Sequence, residues 1–339
     1  MLKHVVVKKK LLAEWEQREE GDVLPTVRTL TDTYKISLST LNRALSDLET
    51  EGLIVRKQGC GIIVVKNKAR ILGDVAVLVP SLHVHTSNLI LAGIDSRMNE
   101  HGARLLVQRS EPEDATKALE RFAAESISEL IIKPSTVNID DPAFAAAVQE
   151  LIDSGVHVVC IEFSVPGVKT DFVGHDNRLC FGDATQHLVQ SGCKRIGISG
   201  NIDSILFSRR VQGVREVLVD SAIHLTIIDS FQKDKETLIN EILQQDIDGF
   251  LLGDPDFDHT FCQSLITCSG DRGKKIKIAA MIPEGQILDV NDIYVMEKPS
   301  YSIGQRAADI LLQRRKEADI PAIVEFLPVK SYVGQVGSE

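Results

Sequence analysis

Long apolar runs are missing from this chain: none reaches the roughly 18 consecutive residues that a membrane-crossing helix needs. No membrane partner is therefore expected. Paired cysteines are missing too. The six thiols, at positions 60, 160, 180, 193, 262 and 268, are scattered and form no C-x-x-C pair, which argues against a disulfide framework and against zinc ligation. Aromatic residues make up only 5% of the chain, and the single tryptophan is Trp15. No G-x-S-x-G elbow, phosphate-binding P-loop or G-x-G-x-x-G fingerprint occurs. His83-Val84-His85 would set two imidazoles on one side of a strand, but no third ligand follows at a useful spacing. These absences leave no catalytic residue, metal or cofactor to assign, and the chain is not expected to be an enzyme. At the N-terminus, lysines 8–10 follow the short apolar stretch Val5-Val6-Val7. That order is the reverse of an export signal, so a cytoplasmic location is expected.

Charge of one sign is scarce only locally. The net charge is −10 over 339 residues, a length that suits two or three domains. Residues 1–70 nevertheless carry 13 Lys and Arg against 9 Asp and Glu, leaving 25 against 39 in the remainder. A basic small segment joined to an acidic large one suggests that the first meets a polyanion.

The first seventy residues read as three helices and a hairpin. The first helix spans about residues 3–19, with Leu11, Leu12 and Trp15 on one side. The second follows Leu24-Pro25, with Thr26 as its N-cap and Val27, Leu30 and Tyr34 at helical spacing. The third opens at the cap Ser37, carries Leu41, Ala44, Leu45 and Leu48 at i, i+3, i+4, i+7, and stops before Gly52. Strands at 53–56 and 62–65 flank the turn Lys57-Gln58-Gly59-Cys60-Gly61. Two short helices, a tight connection and a hairpin describe a winged helix-turn-helix. The third helix's other side presents Ser37, Ser39, Thr40, Asn42, Arg43 and Ser46, short donors and a cation that can reach base edges and phosphates in a major groove. Lys57, Gln58 and the glycines would bring the wing tip close to a duplex.

Residues 24–30, 36–45, 48–54 and 57–61 together resemble the GntR family of regulators. The resemblance implies a DNA-binding winged helix and maps the family's second-helix arginine to Arg28, its recognition-helix threonine to Thr40, and its wing glycines to Gly59 and Gly61.

Residues 66–70, Lys-Asn-Lys-Ala-Arg, read as a linker between domain 1–65 and domain 71–339. Beyond the linker, strand-like runs begin near residues 75, 104, 130, 156, 195, 249 and 277 and alternate with helical stretches near 88–101, 113–125, 142–154, 178–191, 208–221, 235–245 and 258–267. This rhythm predicts an α/β module of parallel sheets flanked by helices, long enough for two lobes. Ligands bind such sheets at the carboxyl ends of their strands. The loops there offer Lys133, Glu162, His175-Asp176-Asn177, residues 201–210, Asp254 and Pro283-Glu284, groups able to bond paired hydroxyls.

Val77–Pro80, Val173-Gly174-His175-Asp176-Asn177, Gly192–Ile196, Arg210–Gly213 and Gly304–Ala308 are similar in order to the LacI/GalR family of effector-binding modules, which share the fold of periplasmic sugar-binding proteins. The resemblance implies two lobes, at about 71–172 with 299–320 and 173–298 with 321–337, hinged near His175, Pro299 and Pro321. It also implies effector contacts at Ser81, His85, Glu162, Asp176, Arg210 and Asp254, with Arg209 as a neighbour able to substitute. Leu252-Gly253-Asp254 and Ile282-Pro283-Glu284-Gly285 depart from the family's usual pattern on the second lobe's wall, so an unusual ligand is expected. The fusion as a whole resembles arabinose-repressor-type regulators. It implies a homodimeric, sugar-responsive repressor on a double-stranded DNA operator. A sugar-binding protein without DNA binding is the alternative, and an α/β enzyme a more distant one.

Overall fold

The computed structural model describes residues 7–8, 10–12, 18, 21–50, 54–57, 61–64, 74–80, 85–124, 127–253, 259–273, 275–286, 292–317 and 320–334. The sequence expectations for Gln58, Gly59, Ser81, His83, Asp254, Trp15 and the linker 66–70 fall outside these residues. The chain divides into two compact units, one of residues 1–75 with 97–105, the other of residues 76–96 with 106–339.

In the small unit, β1 (Val23–Leu24), α1 (Val27–Tyr34), α2 (Leu38–Thr50), β2 (Ile54–Lys57) and β3 (Gly61–Val64) follow in order. Residues 7, 8 and 10–12 are helical, within the span expected for the first helix. Thr26 caps α1 by accepting the Thr29 amide at 3.2 Å. Lys35 then turns the chain in the left-handed region at φ 49°, returning its amide to Thr31 O, and Ser37 Oγ accepts the Thr40 amide at 3.3 Å. β3 is the middle strand, antiparallel to both β1 and β2; β1 was not foreseen. Val7, Leu11, Leu24, Leu30, Leu41, Leu45, Leu48, Ile54 and Val64 fill one core. The apolar stripes read from the sequence are the sides turned inward.

The large unit holds two sheets. The first has the order β14-β8-β7-β6-β4-β5, from β4 (Val75–Val79), β5 (Leu105–Arg109), β6 (Glu129–Ile132), β7 (His157–Ile161), β8 (Asp171–Gly174) and β14 (Val324–Phe326). The second runs β10-β9-β11-β12-β13-β15, from β9 (Arg195–Gly200), β10 (His224–Asp229), β11 (Gly249–Leu252), β12 (Lys277–Pro283), β13 (Ile293–Lys298) and β15 (Lys330–Val333). β15 pairs antiparallel with β13, whereas β9, β10, β11, β12 and β13 pair in parallel. Every residue of β4, β6 and β11 is buried, as parallel strands covered on both faces must be.

Seven helices cover these sheets: α3 (His85–Glu100), α4 (Ala115–Ala124), α5 (Pro142–Asp153), α6 (Asn177–Gln190), α7 (Ile205–Leu218), α8 (Lys235–Gln244) and α9 (His259–Asp271). An eighth, α10 (Ser300–Lys316), is absent from the sequence reading, as are β8, β10, β13, β14 and β15. The expected second-lobe segment 321–337 in fact divides: Val324–Phe326 extends the first sheet beside β8, and Lys330–Val333 closes the second. The third chain crossing between sheets therefore lies between Phe326 and Lys330, past the expected Pro321, and is fixed by the Leu327 amide on Gly174 O at 2.7 Å. The other two crossings are β8 to α6, through His175, and β13 to α10, through Pro299.

α6 and α7 approach closely enough that a Cβ on Gly213 would stand 1.9 Å from Arg178 O. Glycine is needed there for space, since its φ is ordinary. Gly213→Ala is expected to force the helices apart and cost about 1–3 kcal/mol, as overpacking does. Thermal unfolding should show a fall of several degrees; an unchanged midpoint would contradict the close approach.

Candidate functional site

Two surfaces carry chemistry, one in each unit. In the small unit, burying Leu41, Ala44, Leu45 and Leu48 turns Ser37, Ser39, Asn42, Arg43 and Ser46 to solvent, with Thr40 half-buried. The Ser37 hydroxyl does more than cap. It lies 2.8 Å from Thr40 Oγ1 and 3.0 Å from Ser39 Oγ, so the three hydroxyls form one linked cluster at the helix start. Arg56 of β2 donates to Glu49 Oε2 at 2.8 Å and to Ser46 Oγ at 3.1 Å, tying the hairpin to the exposed side of α2. This residue was not singled out from the sequence, because only the hairpin register brings it to the helix. Arg28, Lys57 and Gly61 are exposed as well.

In the large unit, a cavity of about 250 Å³ opens where strand ends of both sheets converge. Lys133 follows β6, Glu162 follows β7, His175 follows β8, Gly253 follows β11, and Lys298 ends β13. Arg210 of α7 lines it too. The Glu162 side chain, 6% exposed, lies between two ammonium groups: Lys133 Nζ at 3.2 Å from Oε2 and Lys298 Nζ against Oε1. Lys133 also donates to Ser87 Oγ at 3.1 Å. Glu162 adopts φ 65°, uncommon for a residue with a side chain, and its amide is held by Val173 O at 3.0 Å. Burial alone would raise its carboxyl pKa, but the charges of Lys133 and Lys298 outweigh burial and hold it well below the ordinary range. Burial lowers the Lys298 ammonium, Glu162 opposes that shift, and the like charges of Lys133 and Arg210 add to it.

His175 is pushed down to about 3, first by burial and then by Lys298, against the opposing pull of Glu162. Its imidazole is therefore neutral, and neither ring nitrogen meets a partner of hydrogen-bond geometry. Arg210 donates to Asn177 Oδ1 at 3.1 Å and to Gly253 O at 2.7 Å, with its guanidinium 5.0 Å over the Phe181 ring.

Three of the effector contacts expected from the sequence, Lys133, Glu162 and Arg210, thus meet at one cavity. His85, Asp176, Arg209 and Glu284 do not line it. Asp176 caps α6, accepting the Leu179 amide at 3.0 Å. Glu284 caps α10, accepting the amides of Tyr301 and Ser302 at 2.9 and 3.2 Å and the Ser302 hydroxyl at 3.0 Å. His85 and Arg209 are exposed. Lys298 is the residue missed. Its strand mixes apolar and charged residues, and the sequence signal for it is no more than the apolar Ile293, Val295 and Met296 before Pro299. Phe163 lines the cavity, while Phe207 is packed against Gly200.

Residues 15–64 match the family model "Bacterial regulatory proteins, gntR family". A curated relative, the arabinose metabolism transcriptional repressor of Halalkalibacterium halodurans, is 25% identical over 209 residues, 57% of this chain and 55% of that protein. The chain thus spans about half the length of the curated relatives it matches. Among solved structures, a LacI family transcriptional regulator from Enterococcus faecium with bound ribose has a TM-score of 0.62 at 17% identity, over 78% of this chain and 100% of that one. The Cra transcriptional dual regulator from Pseudomonas putida, in complex with fructose 1-phosphate, gives 0.64 at 14% identity, over 79% and 99%. At these identities the likeness is one of fold. A gntR-type winged helix is joined here to a module of LacI-type, periplasmic-binding-protein-like fold. No helix among the described residues is long and apolar enough to cross a membrane.

The low pKa of His175 sets a pH dependence. The unfolded chain takes up this proton below about 6.5 and the folded chain does not until about 3. The associated stability is complete above 6.5 and falls as the pH drops through this window, with a slope approaching about 1.4 kcal/mol per pH unit. Glu162 adds a similar loss only below 4.5. Urea unfolding of the wild type against His175→Asn between pH 7 and 5 should therefore show the steeper decline in the wild type. Parallel declines would mean that the imidazole is not held neutral.

Proposed function

We propose that the chain is a ligand-responsive, DNA-binding transcription repressor. In this reading domain 1–65 grips an operator, residues 66–70 are a linker, and domain 71–339 binds a small effector of the sugar class. The observation that carries the proposal is the exposed row Ser37, Ser39, Asn42, Arg43 on α2, in a segment that matches the gntR family. Short hydroxyls, an amide and a guanidinium on one helix side suit base edges and phosphates in a major groove. Arg28 and Lys57 supply phosphate contacts, and Gln58, Gly59 and Gly61 let the wing approach. The sugar class is supported by the name of the curated relative and by ribose and fructose 1-phosphate in regulators of the same fold.

The protein acts as a homodimer in the cytoplasm, so that two recognition helices meet a pseudo-palindromic site. The cavity draws Lys133 and Glu162 from strand ends of one sheet, Gly253 from a strand end of the other, and Arg210 from α7. A ligand touching both sides binds the closed arrangement of the lobes more tightly, and through that preference alone it alters operator affinity. Lys133, Glu162 and Arg210 are its contacts in this reading. His85, Asp176, Arg209 and Glu284 have no direct part in it, and Ser81 and Asp254, outside the described residues, are kept as further candidate contacts.

The test begins with fragments of the organism's own genome that the purified protein retains in a gel shift. Asn42→Ala and Arg43→Ala should each weaken retention about tenfold or more, the scale of a lost base contact. Lys57→Ala should instead lower the slope of log affinity against log salt by about 1 while keeping the sequence preference. Retention that ignores salt and all three changes would overturn the proposal.

A further inference from the structure

Among the described residues, the cavity lining holds more ammonium groups than carboxylates. Its described lining contains the ammonium groups of Lys133 and Lys298 against the one carboxylate of Glu162. Asp176 and Glu284 cap helices and stand outside the lining.

The hydrogen-bond count points the same way. An ammonium has three N–H donors. Lys133 donates one to Ser87, while its contact with Glu162 and that of Lys298 with Glu162 are ion pairs. Beyond these contacts, neither ammonium has a further acceptor among the described residues. These side chains are only 10% and 14% exposed, so surplus charge there is costly until something of opposite sign arrives. Each Glu162 oxygen faces an ammonium as an ion pair, although Oε1 meets no donor in hydrogen-bond geometry, so the carboxylate acts as a pin for two cations. The hydroxyls of Thr86, Ser135 and Thr136 also line the space and can donate to an anion.

We infer that the effector carries an anionic group, a phosphate ester or carboxylate on a sugar-sized body, seated against Lys133 and Lys298. This rests on reading the large module as the effector-binding part. At about 250 Å³ the cavity lies below the roughly 300–1,000 Å³ of drug-sized pockets, which restricts the rest of the ligand to a small body.

Inorganic phosphate is the first probe, added to the full-length protein at constant ionic strength. Its thermal midpoint should rise saturably with phosphate and not with chloride. Lys298→Met and Lys133→Met should each weaken phosphate about tenfold or more, the scale of a lost charge-assisted bond. Glu162→Gln, which removes the competing carboxylate, should tighten it several-fold. A direct ligand to a neutral sugar would behave in the opposite way. If a variant does not fold, broadening of the phosphate ³¹P signal by the wild type reads the same binding, and a signal that stays sharp overturns the inference. Sugar phosphates and sugar acids should then outcompete phosphate where their neutral parents do not. Stabilisation by a neutral sugar alone, or a phosphate effect untouched by Lys298→Met, also overturns it. Gel shifts with the same preparations separate this inference from the wider reading. DNA retained without anion binding sinks only the anionic effector, and anion binding without DNA retention sinks only the repressor.

Discussion

The Glu162 carboxylate, buried between the ammonium groups of Lys133 and Lys298, fixes the electrostatics on which the large module depends. Lys133 and Glu162 stand at strand ends of the first sheet, and Lys298 ends β13 where the chain crosses back towards it. The carboxylate therefore joins a sheet to a crossing. Breaking such a buried pair by removing one partner typically costs about 3–5 kcal/mol, while an apolar replacement of the whole group is often neutral. The triad is thus poorly explained as a stabilising device. Its left-handed backbone at Glu162 and its unmatched ammonium donors fit a binding site, where strain and incomplete pairing are held in reserve for a ligand.

The rest of the cavity follows from how this charge is contained. Arg210 reaches across α6 to Asn177 and Gly253 from the second sheet's side, and His175, on another crossing, stays neutral among cations. The crossings are therefore lined by groups that feel the cavity's charge. In the proposed reading, an occupant that prefers one arrangement of the lobes shifts their balance through the cavity alone.

Much of the fold was legible because its signals are local. Thr26 and Ser37 were readable as caps, since a hydroxyl three residues before an amide at a helix start has one obvious bond to make. β4, β6 and β11 were readable as uninterrupted apolar runs. The edge strands β10, β14 and β15 were not: β10 alternates irregularly, and β14 and β15 expose most or all of their residues. Missing β13 also hid Lys298, and with it the second cation on Glu162. Glu284 shows the complementary error. A carboxylate after a strand looks like a ligand contact in the sequence, but the start of α10, seventeen residues on, presents amides to it. Which of two long-range partners claims a carboxylate is a property of packing, and no local pattern encodes it.

Coupling between cavity and duplex is most directly measured as linkage, by fluorescence-anisotropy titration of a retained operator fragment with and without a saturating cavity ligand. The expected result is a shift in Kd of about 5–150-fold, the usual range of allosteric coupling, that disappears when Lys298 is replaced by Met. An identical Kd with the cavity demonstrably filled would contradict control of DNA binding from this site.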